Sequence, residues 1–333
     1  MAGNNELVHL TQNSFDRILS RLEDIWAESG ACPSFIGDMH RTLSIFNSEN
    51  NNTDNSSNRW ALLPGLCCQA AGGEQDWTED LATAWYLFYI AAHLMDKLED
   101  HDEIELLLGE SETGILLNTV SGLYFSASLI LNNLCINDVT KDVAAEIIGY
   151  IHNGFLKMCG GQHQDLVYDE PNLEQFWEIV SAKSGLFFSM ACRVGARLAT
   201  DDAIRLEGYG KFGHHIGMLI QVFDDLEDLR NFKRPRSLNQ WLKLQRTVPF
   251  IYALDVLSPS MRDRLLQCLH DAYQLPEAAE EILHLINQSG AALYVNVEIA
   301  RHQEEALAGL RQAAPLPQPA EKLVSLLDLL LTS

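Results

Sequence analysis

The chain has 333 residues, 47% of them apolar, enough to bury a large core as one large domain or two smaller ones. Its formal net charge of −23 argues against nucleic acid and against an anionic membrane surface as partners, since both recruit basic patches. The seven cysteines are odd in number and form no CxxC pair, no basic-then-apolar leader opens the chain, and no apolar run is long enough for a membrane span, so a reduced, cytoplasmic protein is expected.

Residues 6–28 carry apolar side chains at helical spacing, among them Phe15, Leu19, Leu22 and Trp26. Residues 47–58, NSENNNTDNSSN, read as a polar low-complexity loop. A helix follows from about Trp60 to Ala71, closed by Gly72–Gly73. Asp76 or Thr78 caps the next helix, in which Trp85, Phe88, Tyr89 and Ala92 lead down to the carboxylates Asp96, Glu99 and Asp100. The apolar segment 113–134 is a central helix or a subunit interface. Two more helices, 139–159 and 172–199, are joined by GGQHQDLVYDEP. Residues 202–229 form a helix whose apolar face (Ile216, Leu219, Ile220, Phe223) runs into Asp224, Asp225 and Asp228. A basic, Pro-containing loop with Lys233, Arg234 and Arg236 follows. Helices then run to the C-terminus, broken at 313–320 by Pro315, Pro317 and Pro319. No strand pattern and no repeat occurs. The expectation is a single all-α domain over 1–333, a bundle of roughly ten or more helices.

Asp96 and Asp100 stand four apart, as do Asp224 and Asp228, so each pair shares one helix face. Like charges at that spacing weaken a helix by roughly 0.2–0.5 kcal/mol per pair. Either cluster alone could be a solvated acidic helix end. Two clusters with the same layout point instead to one site, with carboxylates at the rim of an apolar cavity. Mg²⁺ suits such oxygen donors, because it is typically held by one or two carboxylates plus substrate phosphates. The aromatic residues are core, or ring faces that attract a cationic intermediate; both can hold at once. His214 and His215 read as helix-surface residues.

Four motifs in order carry a resemblance: Gly161–Leu166 (GQHQDL), Lys183–Ala196 (KSGLFFSMACRVGA), Gly217–Asp228 (GMLIQVFDDLED) and Arg246–Leu254 (RTVPFIYAL). From about residue 59 to 254 the chain resembles the trans-polyprenyl diphosphate synthases, within the class I isoprenoid (terpenoid) synthases. The resemblance implies a helical bundle around a central cavity, three Mg²⁺ ions, ionisation of an allylic prenyl diphosphate, and a homodimer. It implies Asp96, Asp100, Asp224, Asp225 and Asp228 as metal ligands, with Glu99 a ligand or a neighbour. It implies Lys183, Gln162, Gln221, Lys233 and Arg234 near the diphosphate, and Phe187 with Trp85, Phe88, Tyr89 and Ala92 along the prenyl chain.

The departures bear on function. The first acidic motif reads DKLED, with Lys97 where elongating synthases usually carry aspartate. The paired arginines that normally follow are missing from His101–Gly109, and the stretch that holds isopentenyl diphosphate, matched at Asn55–Ala61, keeps only Arg59. A second diphosphate has therefore lost most of its cations. The expectation is a terpene synthase acting on farnesyl or geranylgeranyl diphosphate, whose cation cyclises, loses a proton or meets water. By helix rise the floor at Trp85 and Phe88 lies roughly 12–16 Å below Asp96, which suits those chain lengths. A chain-elongating synthase using isopentenyl diphosphate, a head-to-head condensing enzyme and a regulatory partner subunit stay open as alternatives.

Overall fold

Apolar spacing near 3.6 residues produces helices throughout the chain, and no strand occurs among the described residues. The structure, a computed structural model, describes residues 19–52, 57–74, 78–99, 113–135, 140–168, 171–232, 243–271 and 276–331. Asp76, Asp100, His101–Gly109, Lys233, Arg234 and Arg236 lie outside them, as does the whole of the 6–18 stretch. By its contacts the chain divides into two compact units whose segments interleave in sequence.

The first unit comprises Met1–Asn153, Met190–Gly210 and Gly309–Ser333. It contains α1 (residues 19–29), α2 (Pro33–Asn52), a 3-10 turn (Ser57–Leu62), α3 (Leu63–Ala71), α4 (Glu79–Glu99) and α5 (Thr113–Asn132). The loop expected at 47–58 is shorter than the polar composition suggests: α2 runs on to Asn52 and the 3-10 turn begins at Ser57. Asn and Ser cost only about 0.7 kcal/mol or less per residue in a helix, and an already nucleated helix propagates through them. The expected stop after Ala71 is present. Gly72 takes φ +103°, a left-handed cap that glycine adopts without Cβ strain, and its N–H reaches back to the Gln69 carbonyl.

Helix α4 packs against α5, with the Phe88 and Tyr124 rings 6.0 Å apart. The Trp26 indole N–H donates to Ser126 Oγ at 2.8 Å, joining α1 to α5. Helix α5 is long and apolar enough to cross a membrane by length and composition, where no such run was expected. Its apolarity has a local cause: Leu116, Val120, Leu123, Ala127, Ile130 and Leu131 are all buried in this unit. The opposite face exposes Phe125 (71%) and Leu129 (48%).

The second unit comprises Gly154–Ser189 and Lys211–Ala308. It takes the C-terminal part of α6 (Lys141–Val167), then α7 (Leu173–Val180), a π-helical turn (Ser181–Gly185) and the start of α8 (Leu186–Arg197). Most of α9 (Ala203–Asn231) follows, with α10 (Val248–Val256), α11 (Pro259–Asp271), α12 (Pro276–Gln288) and most of α13 (Ala291–Ala313). Helix α14 (Pro317–Leu331) returns to the first unit after the expected proline break. One apolar cluster gathers Phe232, Phe250, Leu265 and Ile282; another gathers Phe176, Met218, Val222, Val248 and Val295.

Two sequence expectations are corrected here. GGQHQDL is not a connecting loop but the last two turns of α6. The glycines do not stop the helix: a Cβ at Gly161 would lie 2.8 Å from Ala182 Cβ, so this glycine permits close packing on the π turn. The helix expected at 172–199 is likewise not continuous. It starts at a capping box between Asn172 and Gln175 and widens into an underwound π turn at Ser181–Gly185 before α8 begins.

Candidate active site

In the second unit the site is built around the π turn. Close approach comes first. A Cβ at Gly217 of α9 would sit 2.1 Å from the Ser184 carbonyl oxygen, so glycine alone lets α9 lie against the turn. The turn presents Lys183, whose Nζ donates to Asp165 Oδ2 at 2.6 Å, with Arg246 Nη1 3.5 Å from the other Asp165 oxygen. Two guanidinium-or-ammonium charges thus share one carboxylate, and the trio carries a net positive charge into which an anion fits. Lys183 and Asp165 are each about four-fifths buried, which weakens screening by water. Gln162, on the same end of α6, has a buried Nε2 with no hydrogen-bond partner among the described residues, a donor left for a ligand oxygen.

Hydrogen bonds carry this arrangement to the aspartates of α9. Ser184 Oγ donates to Gln221 Oε1 at 3.3 Å, and Gln221 Nε2 donates to Asp225 Oδ1 at 2.9 Å. The Val248 N–H donates to Asp225 Oδ2 at 2.7 Å. Asp225 is only 4% exposed, and both its oxygens are engaged: it caps the N-terminus of α10, where Thr247 makes no side-chain cap. Burial pushes its carboxyl up to about 8, against the two hydrogen bonds, with Asp224 and Asp228 pushing the same way. Asp224 and Asp228 are exposed, one turn apart. The three aspartates expected to act alike therefore separate into two accessible carboxylates and one structural cap.

In the first unit, Asp96 and Glu99 occupy the last turn of α4, both partly exposed, with Lys97 between them. Trp85 and Phe88 are buried on this helix, and Ala92 and Tyr89 are half-buried, Tyr89 lying edge-on to Phe46 and stacked on His93. Arg59 is buried in the 3-10 turn. Phe187 belongs to the second unit, buried between Phe155 and Phe188.

Asp165, Ser184 and Arg246 are site residues that the sequence reading did not single out. All three sit inside the quoted motifs, so the signal was present, but only folding shows that they meet. His214 and His215 also depart from expectation. They are half-buried, not surface residues, and His215 is hydrogen-bonded to His302.

No group of three or more His, Cys, Asp or Glu among the described residues could hold a metal alone. Hard oxygen donors in ones and twos are instead what Mg²⁺ takes when water and a diphosphate complete its shell. Asp224 with Asp228, and Asp96 with Glu99, fit that pattern.

An all-α chain with accessible carboxylates ending two apolar helices, and a cationic turn rich in hydrogen-bond donors, is an enzyme of the prenyltransferase type. The chain belongs to the polyprenyl synthetase family, whose family model (Polyprenyl synthetase) matches residues 110–286. It is 24% identical over 236 residues to a tryptophan prenyltransferase, ComQ, of Bacillus spizizenii, covering 70% of this chain and 79% of that protein. It is 23% identical over 249 residues to a geranylgeranyl diphosphate synthase of Mycobacterium tuberculosis, covering 71% and 68%. A polyprenyl synthase from Caulobacter crescentus, solved with calcium and isoprenyl diphosphate, has the same fold, with a TM-score of 0.74 at 17% identity over 99% of this chain and 97% of that one.

Proposed function

We propose that this enzyme ionises an allylic prenyl diphosphate with Mg²⁺ and transfers the prenyl group to an electron-rich acceptor. The observation that carries the reading is the Lys183–Asp165–Arg246 cluster, hydrogen-bonded through Ser184 and Gln221 to the turn that bears the aspartates. Lys183, Arg246 and the free Gln162 amide would receive the diphosphate, and their hydrogen bonds strengthen as charge builds on the leaving oxygen. Asp224 and Asp228, with Asp96 and Glu99, would hold the metal, three ions by the family resemblance. Bound Mg²⁺ supplies Lewis-acid neutralisation of the leaving group. The C–O bond breaks with its electron pair on the diphosphate. The acceptor's π electrons close on the allylic cation, and a proton leaves to a diphosphate oxygen.

Transfer replaces cyclisation or quenching as the fate of the cation, because the two curated relatives above are a prenyltransferase and a prenyl diphosphate synthase. The missing cations at Asn55–Ala61 and His101–Gly109 favour an acceptor without a diphosphate, such as the indole of a tryptophan side chain. Chain elongation with isopentenyl diphosphate is the second reading, favoured by the geranylgeranyl diphosphate synthase relative. The exposed apolar face of α5 supports a homodimer as the working form.

The test is product analysis with geranyl, farnesyl and geranylgeranyl diphosphate, each alone, with isopentenyl diphosphate, and with a tryptophan-containing peptide. A prenylated peptide supports the first reading. A longer prenyl diphosphate supports the second. A terpene released from the donor alone overturns both.

A further inference from the structure

Three histidines of the second unit meet away from the aspartates. His215 Nδ1 on α9 lies 2.8 Å from His302 Nδ1 on α13. Arg301 Nη2 lies 3.0 Å from the other nitrogen of His302, Nε2. A guanidinium can only donate, so His302 Nε2 must accept. His302 then carries its proton on Nδ1 and donates it to His215 Nδ1. His215 in turn carries its own proton on Nε2. One arginine thus fixes the tautomers of two imidazoles, and both must be neutral for the bond to exist. Arg301 is itself held by Glu298, with Nε to Oε2 at 2.9 Å. At the other end, the His214 ring packs edge-on to His215, and it lies so close to Gly185 of the π turn that a Cβ there would sit 2.7 Å from its Nδ1.

Among the described residues, the following groups face this pair. On α9 they are His214 and Lys211; on α13 they are Arg301 and Glu298, whose Oε2 is 3.8 Å from His302 Nε2. Helix α7 presents Trp177, its ring 5.5 Å from that of His302, which carries no charge. The nearby Tyr294 hydroxyl accepts the Trp177 indole N–H at 2.8 Å.

We infer that His302, His215 and His214 form a relay of neutral imidazoles that positions the Lys183 turn against α9, and that acid opens it by placing two N–H groups face to face. The inference rests on the reading of Lys183 as a diphosphate contact. Burial is the main reason these rings resist protonation, with repulsion from His214, Arg301 and Lys211 added at His215, which is held down to about 4. His302 is held down to about 3, by burial and then by Arg301 and the other two histidines. The unfolded chain takes up these protons near pH 6.5, so native stability is complete above that pH and is lost as pH falls from about 6.5 to about 4. The relay is a positioning device. It touches the turn that carries Lys183, not the substrate.

The test uses the full chain with ¹⁵N-labelled histidine. At pH 7 the ring-nitrogen shifts should show His302 protonated at Nδ1 and His215 at Nε2, assigned with His302→Gln and His215→Gln. Arg301→Ala removes the donor that sets the tautomers, at a half-exposed position, whereas Arg301→Lys keeps a donor. Affinity for inorganic diphosphate with Mg²⁺ should be equal in wild type and Arg301→Ala at pH 8. At pH 4.5 it should be about threefold weaker in Arg301→Ala, the drop in neutral fraction when a titration near 4 rises by one unit, and Arg301→Lys should restore it. Two histidines in the same tautomer, or titrating near pH 6.5, overturn the relay. An Arg301→Ala affinity ratio that is the same at both pH values overturns its link to Lys183. If the wild type binds no diphosphate at either pH, the diphosphate site itself fails. The relay is then judged by urea unfolding, whose midpoint should fall between pH 6.5 and 4 and fall less in His302→Gln.

Discussion

Asp224 and Asp225 are neighbours of identical chemistry, and the structure gives them opposite duties. A rotation of about 100° along the helix takes Asp224 to solvent and Asp225 onto the N-terminus of α10. Asp224→Ala should therefore cut diphosphate release by orders of magnitude and leave the urea midpoint unchanged. Asp225→Ala should also destabilise the fold by about 1–3 kcal/mol, because it strands the buried Val248 N–H and the Gln221 amide. Urea unfolding beside a diphosphate-release assay separates the two. The carboxyl pushed up to about 8 adds a pH signature. A carboxyl raised in the folded state contributes its stability fully below the unfolded value near 3.8 and loses it as pH rises through about 8. In chelator, wild type should lose stability over that window relative to Asp225→Asn, which cannot ionise. Chemical unfolding at pH 5 and pH 8.5 measures the difference, and parallel curves would refute the assignment. Sequence alone made the aspartate cluster legible, but not this division, since it depends on which neighbour α10 presents. The same holds for His215. Its ring partner lies 87 positions away, so no local pattern could reveal it.

At the scale of elements, apolar periodicity located α4, α5 and α9 well, because each buries a continuous stripe, and it found the end of α3 but not its start, since Trp60–Leu62 close the 3-10 turn. It failed where backbone packing decides. Gly160 and Gly161 look like one helix-breaking pair, yet they differ. Nothing lies within 4 Å of a Cβ built at Gly160, whereas one at Gly161 meets Ala182 at 2.8 Å. Gly160→Ala should stabilise the chain by up to about 1 kcal/mol through helix propensity. Gly161→Ala should destabilise it by about 1–3 kcal/mol, because the π turn must move. The two urea midpoints should shift in opposite directions. Gly217→Ala is the stronger case, since its Cβ would lie 2.1 Å from a backbone oxygen that cannot rotate away. It should displace Ser184 with Lys183, and weaken diphosphate binding along with stability. Equal stability of all three variants would show that these close approaches do not constrain the turn. The underwound π turn itself left no trace in the sequence SAKSG. It answers to glycines on two other segments, at 161 and 217, that press against it.

For the whole molecule, charge and exposed apolar surface act against each other. Helix α5 hides one face in its own unit and leaves Phe125 and Leu129 open on the other, four residues apart on a single stripe. A twofold pairing of this face would be isologous, with each Phe125 stripe meeting its own copy. Each copy carries a formal charge of −23, so association must overcome long-range repulsion. Salt screens that repulsion over a Debye length of about 10 Å at 0.1 M and about 30 Å at 0.01 M. Apolar contact area is unaffected by this change. The homodimer should therefore tighten as salt is raised over that range, the reverse of an interface held by ion pairs. Phe125→Glu places a like-charged pair near the twofold axis and desolvates both carboxylates, a cost of several kcal/mol for the dimer. Because Phe125 is 71% exposed in the single chain, the same substitution should leave the monomer's own unfolding midpoint nearly unchanged. Light scattering at micromolar concentration should give a dimer for wild type and a monomer of unaltered helicity for Phe125→Glu. A wild-type monomer at both salt concentrations, or a Phe125→Glu chain that still pairs, would move the interface away from α5.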